Sequence, residues 1–131
     1  MKGTYILVIF IREDIKISVG SLGTIPFKEG YYFYVGSAMG VSGSATLINR
    51  VKRHVIPPEK KKIHWHIDYL LQNEKSLLIR IDLIPSSQRL ECIVAQELLN
   101  LSDDFIENFG SSDCNCKSHL LYFKNLSNQC W

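Results

Sequence analysis

The feature that most constrains the fold is an uninterrupted apolar run near the start of the chain, residues 3–11, GTYILVIFI. A short run rich in isoleucine and aromatic residues is typical of a buried strand. The alternating segment IKISVG and the tyrosine-rich segment YYFYVGS predict two more strands, the third antiparallel to its neighbours. Between them, SLGTIPFKEG contains two glycines and a proline, which predicts a loop.

After Gly43 the apolar period changes from strand to helix. The expected helix takes its N-cap from Ser42 or Ser44 and ends at IPPEKKK. Its apolar positions are Leu47, Ile48, Val51 and Val55. The segments that follow predict, in order, a short helix (HWHIDYLL), a strand (SLLIRIDLI), a helix and a last strand (SHLLYF). The stripe of the later helix is Leu90, Val94, Leu98 and Leu101. The pattern predicts an α+β fold, a small antiparallel or mixed sheet of three or more strands flanked by helices.

Length and composition fit one ordinary globular unit. The chain has 131 residues, 46% hydrophobic and 21% charged, so we expect a single domain over residues 1–131. No apolar run approaches the roughly 18 residues of a membrane span, and the first strand lacks a secretory cleavage site. We therefore expect a cytoplasmic protein without a membrane partner.

Positive charge is concentrated in residues 50–62. This segment holds six lysines and arginines against one glutamate, in a chain whose net charge is only +2. A local basic patch on a nearly neutral protein predicts a polyanionic partner. The candidate nucleic-acid contacts are Arg53, Lys60, Lys61 and Lys62. The alternative is a solvated helix face followed by an exposed loop.

Four short motifs occur in a fixed order: GTY (3–5), YVG (34–36), RVKRH (50–54) and the glutamate of LEC (90–92). Tyr5 and Tyr34 lie 29 residues apart. In the order and spacing of these motifs, residues 3 to 100 resemble the GIY-YIG nuclease superfamily. A small single-domain branch of that superfamily is similar over nearly the whole chain, through GYYFYVGSA, HWHIDYLL and FGSSDCNCKSHL. The resemblance implies the fold and leaves that branch's biochemistry open.

The resemblance also implies a set of catalytic residues. Glu91 matches the single glutamate that holds a divalent metal, Mg²⁺ or Mn²⁺, and a hard cation suits a carboxylate that leaves room for water. Arg50 matches the phosphate-binding arginine, whose charge persists at any working pH. Tyr5 and Tyr34 match the two signature phenols. A phenol is a poor base near neutral pH, so Tyr5 either ionises beside a cation or positions the attacking water.

Two histidines are further candidates for the site. His54 lies four residues after Arg50 and shares its helix face, so it matches the superfamily better than His64 does. His64 and Asp68 are also four apart, and Asp68 is expected to fix the ring tautomer of His64. Either histidine can instead be structural.

The chain departs from the superfamily in two places. Thirteen residues separate Gly36 from Arg50, and MGVSGSA fills that longer gap. The later polar residue of the superfamily has no clear counterpart among Asn100, Asn108 and Ser112.

A second cluster contains Cys114, Cys116 and His119, with Cys92 next to Glu91. Two thiolates and an imidazole with a distant cysteine are a ligand set for Zn²⁺, although the spacing is not that of common zinc knuckles. Alternatively, Cys92 is a small buried hydrophobe and residues 111–113 form a turn or cap. In a reducing compartment we expect the cysteines to be free or metal-bound, and on spacing alone we expect no stoichiometric zinc.

These observations predict a metal-dependent endonuclease that hydrolyses phosphodiester bonds in DNA, or less readily RNA, in repair or processing. No appended DNA-binding module is evident, so we expect specificity to be low or supplied by a protein partner. The alternative is a non-catalytic nucleic-acid-binding or protein-interaction domain that retains the fold.

Overall fold

The computed structural model describes residues 1–111 and 116–126. Its larger sheet has five strands: β1 (Gly3–Ile11), β4 (Gly30–Ala38), β5 (Ser76–Pro85), β6 (Asp104–Phe105) and β7 (Leu120–Phe123). Across the sheet they follow the order β5-β1-β4-β7-β6, and all neighbours are antiparallel. A second sheet pairs β2 (Ile15–Ser18) with β3 (Thr24–Phe27). The helices are α1 (Leu47–His54), α2 (His66–Gln72) and α3 (Glu91–Leu101). The predicted α+β class is confirmed.

Strand alternation gives β1 and β4 two different faces. Tyr5, Leu7, Tyr32 and Tyr34 lie on one face, here called the tyrosine face, together with apolar residues of α1 and α2. Ile6, Val8, Phe33 and Val35 lie on the other face, here called the α3 face, which Ala95 and Leu98 of α3 cover. Because residues directly opposite in an antiparallel pair point to the same side, the pairing of Tyr5 with Gly36 and of Leu7 with Tyr34 fixes this division.

The region predicted as one loop contains the strand β3. Its residue Pro26 lies opposite Lys16 in the two-stranded sheet. A proline cannot donate to a ladder, but an edge position does not require that donor. The prediction was wrong because proline was taken to exclude a strand here, although the β2–β3 ribbon has only edge strands.

The helix predictions were right in order and inexact in detail. Thr46 precedes α1 in place of the predicted serines, and its hydroxyl donates to the carbonyl of Gly43 (3.0 Å). Val55 lies beyond the end of α1 and is 52% exposed, and Leu101 of α3 is 60% exposed. Both residues were assigned to apolar stripes because they match the helical period, but at a helix end that period no longer predicts burial.

Over the described ranges 1–111 and 116–126, the helices are too short or too polar to cross a bilayer.

Candidate functional site

The centre of the site is a hydrogen bond between Tyr5 of β1 and His54 at the end of α1. The phenol oxygen lies 2.7 Å from His54 Nε2, and both side chains are only 2% exposed. Burial lowers the pKa of His54 to about 4, and the charges of Lys61, Arg53 and Arg50 act in the same direction against Asp68. His54 is therefore neutral at neutral pH, and its ring can accept the phenol proton.

Burial raises the pKa of Tyr5 well above its ordinary value, although Arg50 opposes the shift. The phenol is therefore protonated at neutral pH, and its proton lies between two buried groups. Of the two roles that the sequence left open for Tyr5, this environment favours an oriented hydroxyl over an ionised base.

Gly36 makes room for the ring of Tyr5. A Cβ at this position would overlap the ring carbons and the phenol oxygen of Tyr5, its partner across the strand pair. The space above Gly36 is therefore occupied by the Tyr5 ring. A glycine is required here because the phenol crosses the neighbouring strand to reach His54.

Tyr34 lies beside Tyr5 and lines a cavity of about 380 Å³. Residues of the cavity wall include His64, Trp65, His66 and Gly110. The Tyr34 ring is 7% exposed, and burial raises its pKa, with further contributions from the nearby Tyr5 and Glu91. Tyr34 is thus the phenol that borders a space large enough for a small ligand, while Tyr5 lies behind it.

Two arginines of α1 hold Trp65, which stands just before α2. Arg50 and Arg53 lie over the indole ring at 5.0 and 4.3 Å from its centroid. Arg50 also donates to the carbonyl of Ser37 (2.9 Å), which ties α1 to the end of β4. Arg50 Nε is buried and has no hydrogen-bond partner within residues 1–111 and 116–126. A buried guanidinium nitrogen without an acceptor is costly, and the planar guanidinium that carries it suits a phosphate.

Asp68 organises the start of α2. It is fully buried, and its Oδ2 accepts the backbone N–H groups of His64 and Trp65, both at 2.9 Å. The same oxygen pairs with Arg53 (3.3 Å). The prediction that Asp68 orients the ring of His64 was wrong, because the carboxylate bonds the His64 backbone instead. The exposed ring of His64 packs edge-on against Trp65, with 4.8 Å between the ring centroids.

The basic candidates divide into two groups. Lys61 is 9% exposed, and its ammonium donates to the carbonyls of Arg53 and His54 (3.1 and 3.0 Å). It therefore caps the C-terminus of α1, where the dipole favours a cation, and is not a surface contact for nucleic acid. Lys60 and Lys62 are exposed, as is Lys52. Arg53 is committed to Asp68 and Trp65.

Glu91, the first residue of α3, belongs to the layer on the other side of the sheet. Its Oε1 lies 3.2 Å from Nδ1 of His119, and its side chain is 25% exposed. A Cβ on Gly110 would lie 3.4 Å from His119 and 3.0 Å from the Tyr34 ring, so Gly110 separates these two side chains. The carboxylate also contributes to the raised pKa of both Tyr5 and Tyr34. The predicted glutamate, phenols and Arg50 therefore lie within electrostatic range of one another.

Glu91 suits the expected hard cation. It offers a partly exposed carboxylate with room for water ligands, which is the donor chemistry that Mg²⁺ or Mn²⁺ takes. Of the candidates for the later polar residue, Asn100 bonds Gln96 on α3 and Asn108 adopts a left-handed backbone (φ 61°). Ser112 lies outside the described residues.

Three of the four predicted zinc ligands come together. Donor atoms of Cys92, Cys116 and His119 all lie within 4.8 Å of one another. The sulfur atoms of Cys92 and Cys116 form a disulfide. This differs from the expectation that the cysteines are free or metal-bound. Cys92 is exposed, which contradicts its alternative assignment as a buried hydrophobe. Cys114 and residues 112–113 of the alternative turn lie outside the described residues.

Sequence reasoning missed two functional contacts. The roles of Trp65 as a platform for Arg50 and Arg53, and of His119 as the partner of Glu91, depend on segments far apart in the chain. The role of Asp68 had a sequence signal. Asp68 is the third residue of α2, and an acidic residue at this position commonly caps the N-terminus of a helix.

Comparison with known proteins gives one family. The family model described as "Domain of unknown function DUF123" matches residues 4–130. Neither the curated proteins nor the solved structures contain a match to this chain.

Proposed function

The chain belongs to the DUF123 family, and we propose that it is a metal-dependent endonuclease of the GIY-YIG type, hydrolysing phosphodiester bonds in DNA more readily than in RNA. The observation that carries the proposal is the convergence of Tyr5, Tyr34, Arg50 and Glu91 from four separate elements. Two phenols, a guanidinium and a carboxylate within electrostatic range of one another match the groups that phosphodiester hydrolysis needs.

The residues divide the work by charge. Arg50 supplies a fixed cation, whose planar guanidinium suits the oxygens of a phosphate. The exposed Lys52, Lys60 and Lys62 provide non-specific affinity for the nucleic-acid backbone, which depends on salt. Bound at Glu91, Mg²⁺ or Mn²⁺ would supply Lewis-acid stabilisation of charge on the phosphate and the leaving oxygen.

The phenols orient the nucleophile. Tyr34 borders the 380 Å³ cavity, and its oxygen can hold a water molecule there. Tyr5 supports this group from behind and is held by its hydrogen bond with neutral His54. Positioning of this kind contributes to catalysis by fixing the reacting atoms before the reaction, without requiring either phenol to ionise.

A specific observation favours a second candidate, a nucleic-acid-binding or protein-interaction domain without catalysis. Tyr5 and Tyr34 are 2% and 7% exposed, so both phenols are largely closed off from solvent. A binding domain would still use Arg50 and the exposed lysines, and its phenols would only pack.

The two candidates differ in a nicking assay with supercoiled plasmid and branched duplex, in the presence of Mg²⁺ or Mn²⁺. We expect the wild type to cut at least one of these, and Glu91→Gln to lose about three orders of magnitude in rate, equivalent to about 4 kcal/mol. Glu97→Gln, an exposed substitution on the same helix, is the matched control and is expected to cut normally.

Binding must be measured alongside cleavage, by fluorescence anisotropy with the same duplexes. If wild type and Glu91→Gln bind equally and neither cuts, the binding-domain proposal replaces the nuclease. If Glu91→Gln cuts as fast as Glu97→Gln, Glu91 does not hold the metal.

A further inference from the structure

The cluster of Cys92, Cys116 and His119 joins two distant parts of the chain. Cys92 lies in the first turn of α3, and the other two residues lie just before β7. The two cysteine Cα atoms are 6.1 Å apart, although 24 positions separate them in sequence. All three donor atoms lie within 4.8 Å of one another.

His119 is the best fixed member of this cluster. It is 1% exposed, and its backbone is held on both sides: its N–H donates to the carbonyl of Phe109 and its carbonyl accepts the N–H of Val35, both at 2.9 Å. The cluster is therefore built on the continuation of the β4–β7 ladder, and a bound ion would meet one ligand that is already in place.

We propose that Cys92, Cys116 and His119 hold a zinc ion when the cysteine pair is reduced. Two thiolates and an imidazole are a donor set that zinc favours over magnesium or calcium. With zinc–sulfur distances of about 2.3 Å, a tetrahedral ion keeps its two sulfurs about 3.8 Å apart, which a cysteine pair close enough to form a disulfide can reach. A water molecule or a further donor completes the coordination.

The disulfide and the zinc site are alternative states of the same pair. A thiol reductant supplies two electrons and two protons, which break the sulfur–sulfur bond and give two thiols while the reductant becomes a disulfide. Zinc then forms two zinc–sulfur bonds as both thiols release their protons, so metal binding weakens with falling pH. This proposal differs from the expectation, drawn from the spacing of the cysteines, that the protein holds no stoichiometric zinc. Spacing along the chain does not describe a site formed between α3 and the segment before β7.

The site also bears on Glu91, and this part rests on the proposed function. His119 Nδ1 lies 3.2 Å from Glu91 Oε1, so a zinc ion bound through Nε2 would make Nδ1–H a donor to that carboxylate. Histidines that bind metals commonly donate their second nitrogen to a carboxylate in this way. Zinc held by His119 would then help to orient the Glu91 carboxylate through this Nδ1–H group.

The test uses the full chain, purified under a thiol reductant without chelator, and measures zinc by elemental analysis. We expect about one zinc per chain, falling to below about a tenth in Cys92→Ser, Cys116→Ser and His119→Gln. Ile93→Ser replaces the next residue on α3, which is 62% exposed, and is expected to retain zinc. Glu91→Gln removes no ligand and is also expected to retain it.

A second measurement guards against variants that fail to fold. Wild-type protein loaded with Co²⁺ should show thiolate-to-cobalt charge transfer and the strong visible bands of a tetrahedral site. Both signals should be lost in Cys92→Ser, whose substituted side chain is exposed and is therefore expected to leave the fold intact. A reduced wild type without zinc and without these bands would overturn the proposal, as would zinc that persists in all three ligand variants.

The two proposals fail separately. Zinc at full occupancy in a protein that cuts no substrate leaves the metal site standing and removes the nuclease. Cleavage that is lost in Glu91→Gln, by a protein with no zinc, leaves the nuclease standing and removes the zinc site.

Discussion

The two faces of the same pair of strands do different work. On the α3 face, Phe33 and Val35 are fully buried, and the ring of Phe33 packs at a tilt against Phe123 with ring centroids 4.7 Å apart. On the tyrosine face, both aromatic rings of β4, those of Tyr32 and Tyr34, carry a hydroxyl. Strand alternation therefore separates a core of apolar side chains from a core that also buries tyrosine hydroxyls, by the thickness of one sheet.

Within the tyrosine face, the partner of each hydroxyl distinguishes structure from chemistry. Tyr32 and Tyr122 donate to the backbone carbonyls of Lys28 and Glu29 (2.9 and 2.7 Å). Tyr5 bonds instead to a titratable side chain, His54. Buried tyrosines require a partner in either case, but only a side-chain partner can exchange a proton. The cluster of tyrosines in YYFYVGS thus has mixed purposes: Tyr32 packs, Tyr34 borders the cavity, and Tyr31 lies on the α3 face.

The largest effect that can test this comparison is the loss of an aromatic from the α3 face. Phe33→Ala should lower the free energy of unfolding by about 3–5 kcal/mol, because a close-packed neighbourhood relaxes only partly around the cavity. Denaturant titration measures the loss. Tyr31→Ala, on the same face but only half-buried, is expected to cost less. Equal losses would mean that this face is not a close-packed core.

The second effect is a pH dependence that comes chiefly from His54 on the tyrosine face. His54 has a pKa of about 4 in the fold and 6.5 as its ordinary value, so between these pH values the unfolded chain binds a proton that the folded chain does not. Stability is therefore full above pH 6.5 and falls as the pH drops toward 4, by about 3 kcal/mol in total.

Denaturant midpoints across that pH range measure the slope. His54→Gln should remove most of it and leave the part due to His66, whose pKa burial also lowers. His64→Gln, which removes an exposed ring, should leave the slope as in the wild type. A slope that survives undiminished in His54→Gln would assign the acid sensitivity to other groups.

The third effect concerns the glycine beneath Tyr5. Gly36→Ala places a Cβ against the Tyr5 ring, and we expect a loss of about 1–3 kcal/mol from overpacking together with a broken bond to His54. The nitrogen chemical shifts of the His54 ring in NMR spectra report that bond. Ser37→Ala, one residue further on β4, is the control. An intact Tyr5–His54 bond in Gly36→Ala would show that the ring has other room to move.

Much of the fold was predictable because its signals are local. The apolar run of β1, the alternation in β2 and the helical period after Gly43 each reflect burial at a fixed repeat, so strands and helices followed in the right order. The strand β3 was missed because it contains a proline. The strand β6 was missed because two residues are too few to show an alternation of apolar and polar side chains. The loop reading of Pro26 failed where tertiary pairing outweighed a local preference.

The residues of the candidate site could be predicted from their types and their order in the chain, but the contacts that they make could not. Tyr5, Tyr34, Arg50, His54 and Glu91 were singled out before their positions were known. Lys61 was assigned to the surface because a lysine run is usually solvated, but its ammonium turns inward to cap α1. Asp68 was assigned to a ring contact four residues away, but it bonds backbone N–H groups before the helix begins.

The sequence by itself determined which residues face the same side of each element, since strand and helix repeats are set by the backbone. That was enough for the α+β class, for the two faces of β1 and β4, and for the shared face of Arg50 and His54. Only the tertiary structure decided which phenol meets His54, that Arg50 and Arg53 close on Trp65, and that His119 joins Glu91 to the cysteine pair. These contacts link positions 12 to 49 residues apart. Their distances depend on how helices pack across the sheet, which no local repeat encodes.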